Sequence, residues 1–324
     1  RRVWAGFPPP GAWRPKCSFC VMKVLEASCS DLEAGLALPR QHLQVIMTLT
    51  VFFAVMMAAL LHAGWNAIVK TGLSKQTSMF LLSVGHAGIG LLVALTHPIP
   101  APEVWPWLVA SGLIHMAYQL FLAYAYEQGD LSRVYPIARG AAPLIVLVAS
   151  LAFLSDPLGR WDFIGILVLG LGIALMARGV FRSGESRRML PFAFGAACAT
   201  AGYTLADGLG ARVSGQPLAY VGWLMILSAA FFTPVVIALK GRAVLRADAR
   251  GWGLGMIAAA ASFAAYAIAV WAMTKAPIAL VGALRETSIL FAVLIGWLFL
   301  NDPMDRSKLV AAVLIVAGVA LTRL

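Results

Sequence analysis

The amino-acid sequence predicts an all-α membrane protein, with ten transmembrane helices arranged as two five-helix inverted repeats. Three observations carry that fold class. Hydrophobic residues make up 61% of the 324 residues and charged residues only 12%, too little polar surface to cover a soluble core of that size. Apolar runs of roughly 17–25 residues, the length that crosses a bilayer as a helix, recur from Met47 to the end. The third observation is a duplication. Arg139 lies in Tyr135-Pro-Ile-Ala-Arg-Gly140 and Asp156-Pro157 closes the apolar run after it. Arg285 lies in Val281-Gly-Ala-Leu-Arg-Glu286 and Asp302-Pro303 closes the next run, with 285 − 139 = 146 and 302 − 156 = 146.

Residues 1–46 do not share this pattern. They carry Pro8-Pro-Pro-Gly11 and show no sustained period, so they are expected to be a disordered or non-native extension, with Met47 as the native start. No basic segment leads into an apolar core and a small-residue cleavage site, as a signal peptide would require. Windows of about 19 residues then place spans at 47–69, 76–96, 104–126, 131–153 and 161–178. A second set falls at 190–207, 217–239, 252–274, 278–300 and 308–323. The polar, basic stretch 179–189 links a first repeat, 47–178, to a second, 190–324. Because five is odd, the second repeat must enter the membrane from the opposite side, with a substrate site expected at the interface near the midplane.

The net charge of +11 does not indicate nucleic acid, because the cations lie in short loops between apolar runs and form no compact basic face. Loops after the odd-numbered spans hold thirteen Lys and Arg against four on the other side, which alone would put the termini outside the cytoplasm. The six cations of residues 1–46 shrink that margin to thirteen against ten. Three of the four cysteines, Cys17, Cys20 and Cys29, precede residue 47, and a lone Cys-x-x-Cys is a weak zinc signal. No metal, cofactor or nucleotide site is expected, since no phosphate-binding loop or nucleophile signature occurs.

Charged and polar residues inside the spans are the candidate site. Arg139 lies about eight residues, or roughly 12 Å, into its span, and an ion at that depth costs at least about 2.5–3.5 kcal/mol. Arg139 and Arg285 should therefore line water, meet counter-ions or bind an anionic substrate. Snorkelling to a headgroup is the alternative. Pro136 and Pro143 flank Arg139 and should loosen the helix so that it bends at Gly140, a gating element. The ninth span offers only Gly282 and Pro277 for a bend. Glu286 cannot easily pair with its neighbour Arg285, since adjacent helical side chains diverge by about 100°. Glu286, Asp207 and His62 are candidates for proton coupling or for fixed counter-ions. His62, His86 and His115 all lie in spans, where a hydrogen bond to a nearby carbonyl is the alternative to proton relay.

Two further groups are cavity candidates. Leu61-His-Ala-Gly-Trp-Asn66 matches Ala199-Thr-Ala-Gly-Tyr-Thr204 at an offset of 138. Trp65, Asn66, Tyr203 and Thr204 are expected to face a cavity, while Gly64 and Gly202 are expected to let helices approach closely. His115, Tyr118 and Gln119 form one polar strip at i, i+3 and i+4.

Ala59-Leu-Leu-His-Ala-Gly-Trp-Asn-Ala-Ile-Val-Lys70, Ser132-Arg-Val-Tyr-Pro-Ile-Ala-Arg-Gly140 and Trp297-Leu-Phe-Leu-Asn-Asp-Pro303 resemble the drug/metabolite transporter superfamily. Within it, they resemble the ten-span EamA-type carriers. The opening motif is also similar to a subgroup linked to phosphonate utilisation. Ser155-Asp156 and Asn301-Asp302 stand where such carriers commonly have a Gly-Glu turn. The resemblance implies a non-enzymatic secondary transporter of amino acids, organic anions or drug-like solutes, often working outward and without ATP. It implies a multi-pass place in a bacterial cytoplasmic (inner) membrane and cytoplasmic termini, against the loop count. The expected partners are a small-molecule solute, the lipid bilayer and, as an option left open, a homodimer.

Overall fold

The computed structural model describes residues 47–70, 75–128, 139–182, 187–299, 304 and 306–324. The chain divides into two units, Arg1–Gln44 and Val45–Leu324. Every described residue belongs to the second, and the expected extension 1–46 lies outside the described residues, as do Pro136 and the Asp302-Pro303 turn.

The described residues form helices joined by short turns. In the first repeat these are α1 (Leu49–Lys70), α2 (Lys75–Leu95), α3 (Trp105–Gln128), α4 (Ala142–Phe153) and α5 (Arg160–Arg182). In the second they are α6 (Leu190–Ser214), α7 (Pro217–Lys240), α8 (Ala249–Met273), α9 (Ile278–Arg285), α10 (Ser288–Phe299) and α11 (Arg306–Leu321). Together α9 and α10 occupy the expected ninth span. Their ends follow ordinary capping chemistry. Gly215 takes the left-handed conformation (φ 64°) that closes α6, and Pro217 opens α7. Asp248 caps α8 by accepting from the Gly251 N–H at 2.8 Å.

Six segments are long and apolar enough to cross a membrane by length and composition: Leu49–Ile68, Gln76–Leu95, Pro102–Ala125, Pro217–Lys240, Ala249–Met273 and Ile278–Leu298. Helix α4 is apolar but short, with 12 residues, or about 18 Å. Helix α5 runs past residue 178, where its span was expected to end, as far as Arg182. Large apolar side chains such as Phe53, Leu92, Phe153, Leu171 and Val313 are exposed, as they must be where lipid replaces water.

The strongest helix pairings all cross between repeats: α1 with α8, α3 with α6, α2 with α7, and α5 with α11. Exchanging the repeats leaves that pattern unchanged. The two pairs that map onto themselves run antiparallel. A methyl group at Gly165 of α5 would lie 2.7 Å from the Gly318 carbonyl of α11, and one at Gly172 would lie 3.0 Å from the Ala311 carbonyl. Likewise Gly90 of α2 abuts Gly222 and Ile226 of α7, while Gly222 abuts Val93 and Gly90. Only glycine permits backbones this close.

Candidate functional site

The duplicated arginines mark duplicated breaks in helix. Helix α4 covers Ala142–Phe153 and α10 covers Ser288–Phe299, and 288 − 142 = 299 − 153 = 146. In the second copy the Glu286 and Thr287 N–H groups donate to Ala283 and Leu284, at 3.0 and 3.1 Å. These i−3 bonds tighten the backbone immediately after Arg285. In the first copy the chain bends at Ala141 before α4 starts. The ninth span is therefore broken like the fourth, although it offers only Gly282 and Pro277 where the fourth has prolines on both sides of its arginine. Pro143 does not act as expected. It sits in the first turn of α4, where a missing N–H costs no intrahelical bond, so it does not strain a helix interior. Gly140 is a packing position, because a methyl group there would lie 2.8 Å from Ile173 Cγ2.

At these breaks the two arginines meet different partners. Arg139, only 1% exposed, donates from Nε and Nη2 to both Glu286 carboxylate oxygens, each at 2.9 Å. This bidentate pair ties the first repeat to the second. Arg285 is 7% exposed and places its guanidinium 5.3 Å from the centre of the Tyr266 ring, a cation–π contact. Among the described residues no carboxylate pairs with Arg285.

Tyr266 reaches from Arg285 to the other buried acid. Asp207 on α6 is fully buried and accepts hydrogen bonds from Tyr220 Oη (3.0 Å) and Tyr266 Oη. His115 Nε2 on α3 lies 4.0 Å from Asp207 Oδ2, and its Nδ1 lies 3.0 Å from the Ser111 carbonyl. The imidazole stacks on Tyr203 with centroids 4.2 Å apart, and Tyr118 and Tyr266 stand edge-on to Tyr203. One turn along α3, Gln119 Nε2 donates to Ser228 Oγ of α7 at 3.2 Å. Candidates from α3, α6 and α9 thus converge, with α7 and α8 supplying tyrosines that sequence reasoning missed. An isolated tyrosine in the alanine-rich run before residue 266 was the available signal, since a buried hydroxyl needs a partner.

The first-span candidates stand apart from that cluster. Trp65 is buried in a hydrophobic cluster with Met79, Phe80 and Leu122, and its Nε1 donates to His62 Nδ1 at 3.3 Å. Asn66 Nδ2 turns back to the His62 carbonyl at 2.7 Å. In the matching repeat Thr204 is buried with its methyl 3.6 Å from where a side chain on Gly282 would start. Gly202 makes ordinary contact with Ile114, but a methyl group at Gly64 would meet nothing within 4 Å among the described residues. No described helix approaches Gly64 closely.

A second inter-repeat ion pair lies toward the helix ends. Arg212, at the end of α6, binds Asp156 through Nη1 and Nη2 (2.6 and 3.0 Å) and the Met273 and Ala276 carbonyls through Nε and Nη2. Asp156 also accepts from the Ile278 N–H at 2.9 Å, at the start of α9. The repeated Asp-Pro turn thus has a specific task in its first copy: it fastens the break-bearing ninth span. Among the described residues no group of three His, Cys, Asp or Glu is placed to hold a metal ion.

Comparison with known proteins agrees with this architecture. A solved structure described only as "Crystal structure of protein" superposes with a TM-score of 0.68 at 17% identity, covering 85% of this chain and 98% of that one. At that identity the likeness speaks for the fold alone. No curated protein matches. The model of the EamA-like transporter family matches twice, over residues 49–178 and 187–324, the two halves that the duplicated arginines delimit. The chain belongs to the EamA-like transporter family, within the drug/metabolite transporter superfamily.

Proposed function

We propose that this membrane transporter is a ten-span secondary carrier that exports small carboxylate-bearing metabolites, amino acids or organic anions, by alternating access between its inverted repeats. One observation carries the substrate reading. Of two buried arginines at equivalent breaks, Arg139 is neutralised by Glu286, whereas Arg285 faces an aromatic ring without a carboxylate among the described residues. A desolvated cation at a helix break is the natural partner of a solute carboxylate. Asp207, held by two tyrosine hydroxyls beside His115, sets an acid near the same place. The Arg139–Glu286 and Arg212–Asp156 pairs each join one repeat to the other, so rocking of the repeats must break or carry them. The family resemblance is what supports the outward direction and the bacterial inner membrane in this reading.

The test is flux in proteoliposomes loaded with amino acids or organic acids, paired with growth of deletion and overexpressing strains on toxic analogues. Arg285→Ala should cut flux by about 100-fold while folded protein remains in the membrane. Unchanged flux for both Arg139→Ala and Arg285→Ala would overturn the site. Sensitivity on deletion would support export, and lost uptake would oppose it.

A further inference from the structure

Beside the Arg285–Asp207 cluster lies a group of unanswered polar atoms. Among the described residues, Ser83 Oγ and His86 Nε2 on α2 and Gln119 Oε1 on α3 are buried without a hydrogen-bond partner. Each forfeits its hydration with no return, which native proteins rarely tolerate without an occupant.

Helix packing gathers these atoms into one region. Gln119 is tied to Ser228 of α7. The antiparallel crossing at Gly90 and Gly222 brings Gly90 against Ile226, so His86, one turn earlier on α2, comes level with the Ile226–Ser228 turn. Ser83 follows on the same face of α2 at i−3. Along α3, Ser111, His115 and Gln119 repeat at i, i+4 and i+8, a polar stripe leading from Asp207 to this region. The converging groups are hydroxyls, an amide and an imidazole, with no carboxylate, guanidinium or ammonium among them.

We infer that the Arg285 site continues along α3 into an uncharged polar subsite, formed by Ser83, His86, Gln119 and Ser228, that takes the hydroxyl or amide tail of the transported carboxylate. This rests on the carrier reading above and sharpens its substrate class. The charged end holds the head group, and the neutral end selects tails that hydrogen-bond over tails that do not. Trapped water is the competing occupant with the same chemistry.

Counterflow of L-glutamine and L-norleucine into proteoliposomes of the full chain separates the two. Both carry the same head on side chains of similar length, and only the first has a polar tail. Wild-type protein should exchange glutamine roughly tenfold faster or more, since a site built to hydrogen-bond rejects an analogue that cannot. Gln119→Leu and His86→Leu should each bring the ratio toward one. Equal wild-type rates, both abolished by Arg285→Ala, would overturn the subsite in favour of water and leave the carrier reading standing. Exchange of neither probe would overturn the subsite, and absence of organic-acid flux as well would overturn the carrier reading.

Discussion

Arg139 and Arg285 occupy the same point of two matching helix breaks, 146 residues apart, and their surroundings could hardly differ more. The first is locked to Glu286 by two 2.9 Å bonds and is almost wholly buried. The second rests against the Tyr266 ring, whose hydroxyl is committed to Asp207. Duplication supplied two cations, and a single acid next to one of them made the copies unequal. Glu286 diverges from its chain neighbour and neutralises the arginine of the other repeat. One cation thereby became mortar between the halves, and the other, unpaired with any described carboxylate, is the one proposed to meet solute.

The sharpest way to break this comparison is to remove the acid. Glu286→Ala strands Arg139 in a buried site and should destabilise the protein by about 3–5 kcal/mol, read as a loss of thermal or denaturant stability in detergent. The double variant Arg139→Met/Glu286→Leu should recover most of that loss. A Glu286→Ala protein as stable as wild type would remove the structural role of the pair. Next in size, Arg285→Ala should cut flux by about 100-fold, or about 2.7 kcal/mol, with stability little changed, and Arg285→Lys should restore only part of it.

Tyr266→Phe tests the link between the free cation and the buried acid. It keeps the ring over Arg285 but deprives Asp207 of one donor, at an expected cost of about 1–3 kcal/mol in stability. A melting curve unchanged from wild type would show that Tyr220 alone satisfies Asp207. Asp156→Asn weakens the clamp on the start of α9, and because Arg212 is about a third exposed the loss should be about 1 kcal/mol or less. Limited proteolysis across residues 274–278 should report it as faster cutting. Asn66→Ala should be the mildest change, with flux within about twofold of wild type, because among the described residues its amide serves only its own helix. A large flux defect there would return the first span to the site.

Much of the architecture was legible because it follows from composition and repetition. The 146-residue offset reappears as two helices of 12 residues with matched ends, and the family match falls in two segments, residues 49–178 and 187–324. The breaks were half legible. Prolines near Arg139 advertised one, while the other, at Glu286–Thr287, has no proline within it and is set by i−3 bonding that no residue type demands. Pro143 misled for the same reason: its effect depends on whether it opens a helix or interrupts one. The site was legible as a set of residues out of place in apolar helices, which is how Arg139, Arg285, Asp207, Glu286 and His115 stood out. Tyr220, Tyr266 and Arg212 did not stand out, because tyrosine at a span and arginine near its end are unremarkable until their partners are known.

By itself, then, the sequence determined that the chain lies in a membrane, that it consists of two related halves, and which positions carry charge where charge is expensive. Hydrophobicity and repetition are properties of the chain taken in order, so they survive without a fold. Which arginine is paired, which is free, and which tyrosine joins Arg285 to Asp207 were decided only by tertiary structure. Electrostatic partnership depends on distances of a few ångströms between residues as far apart as 139 and 286, and those distances exist only once the repeats have packed.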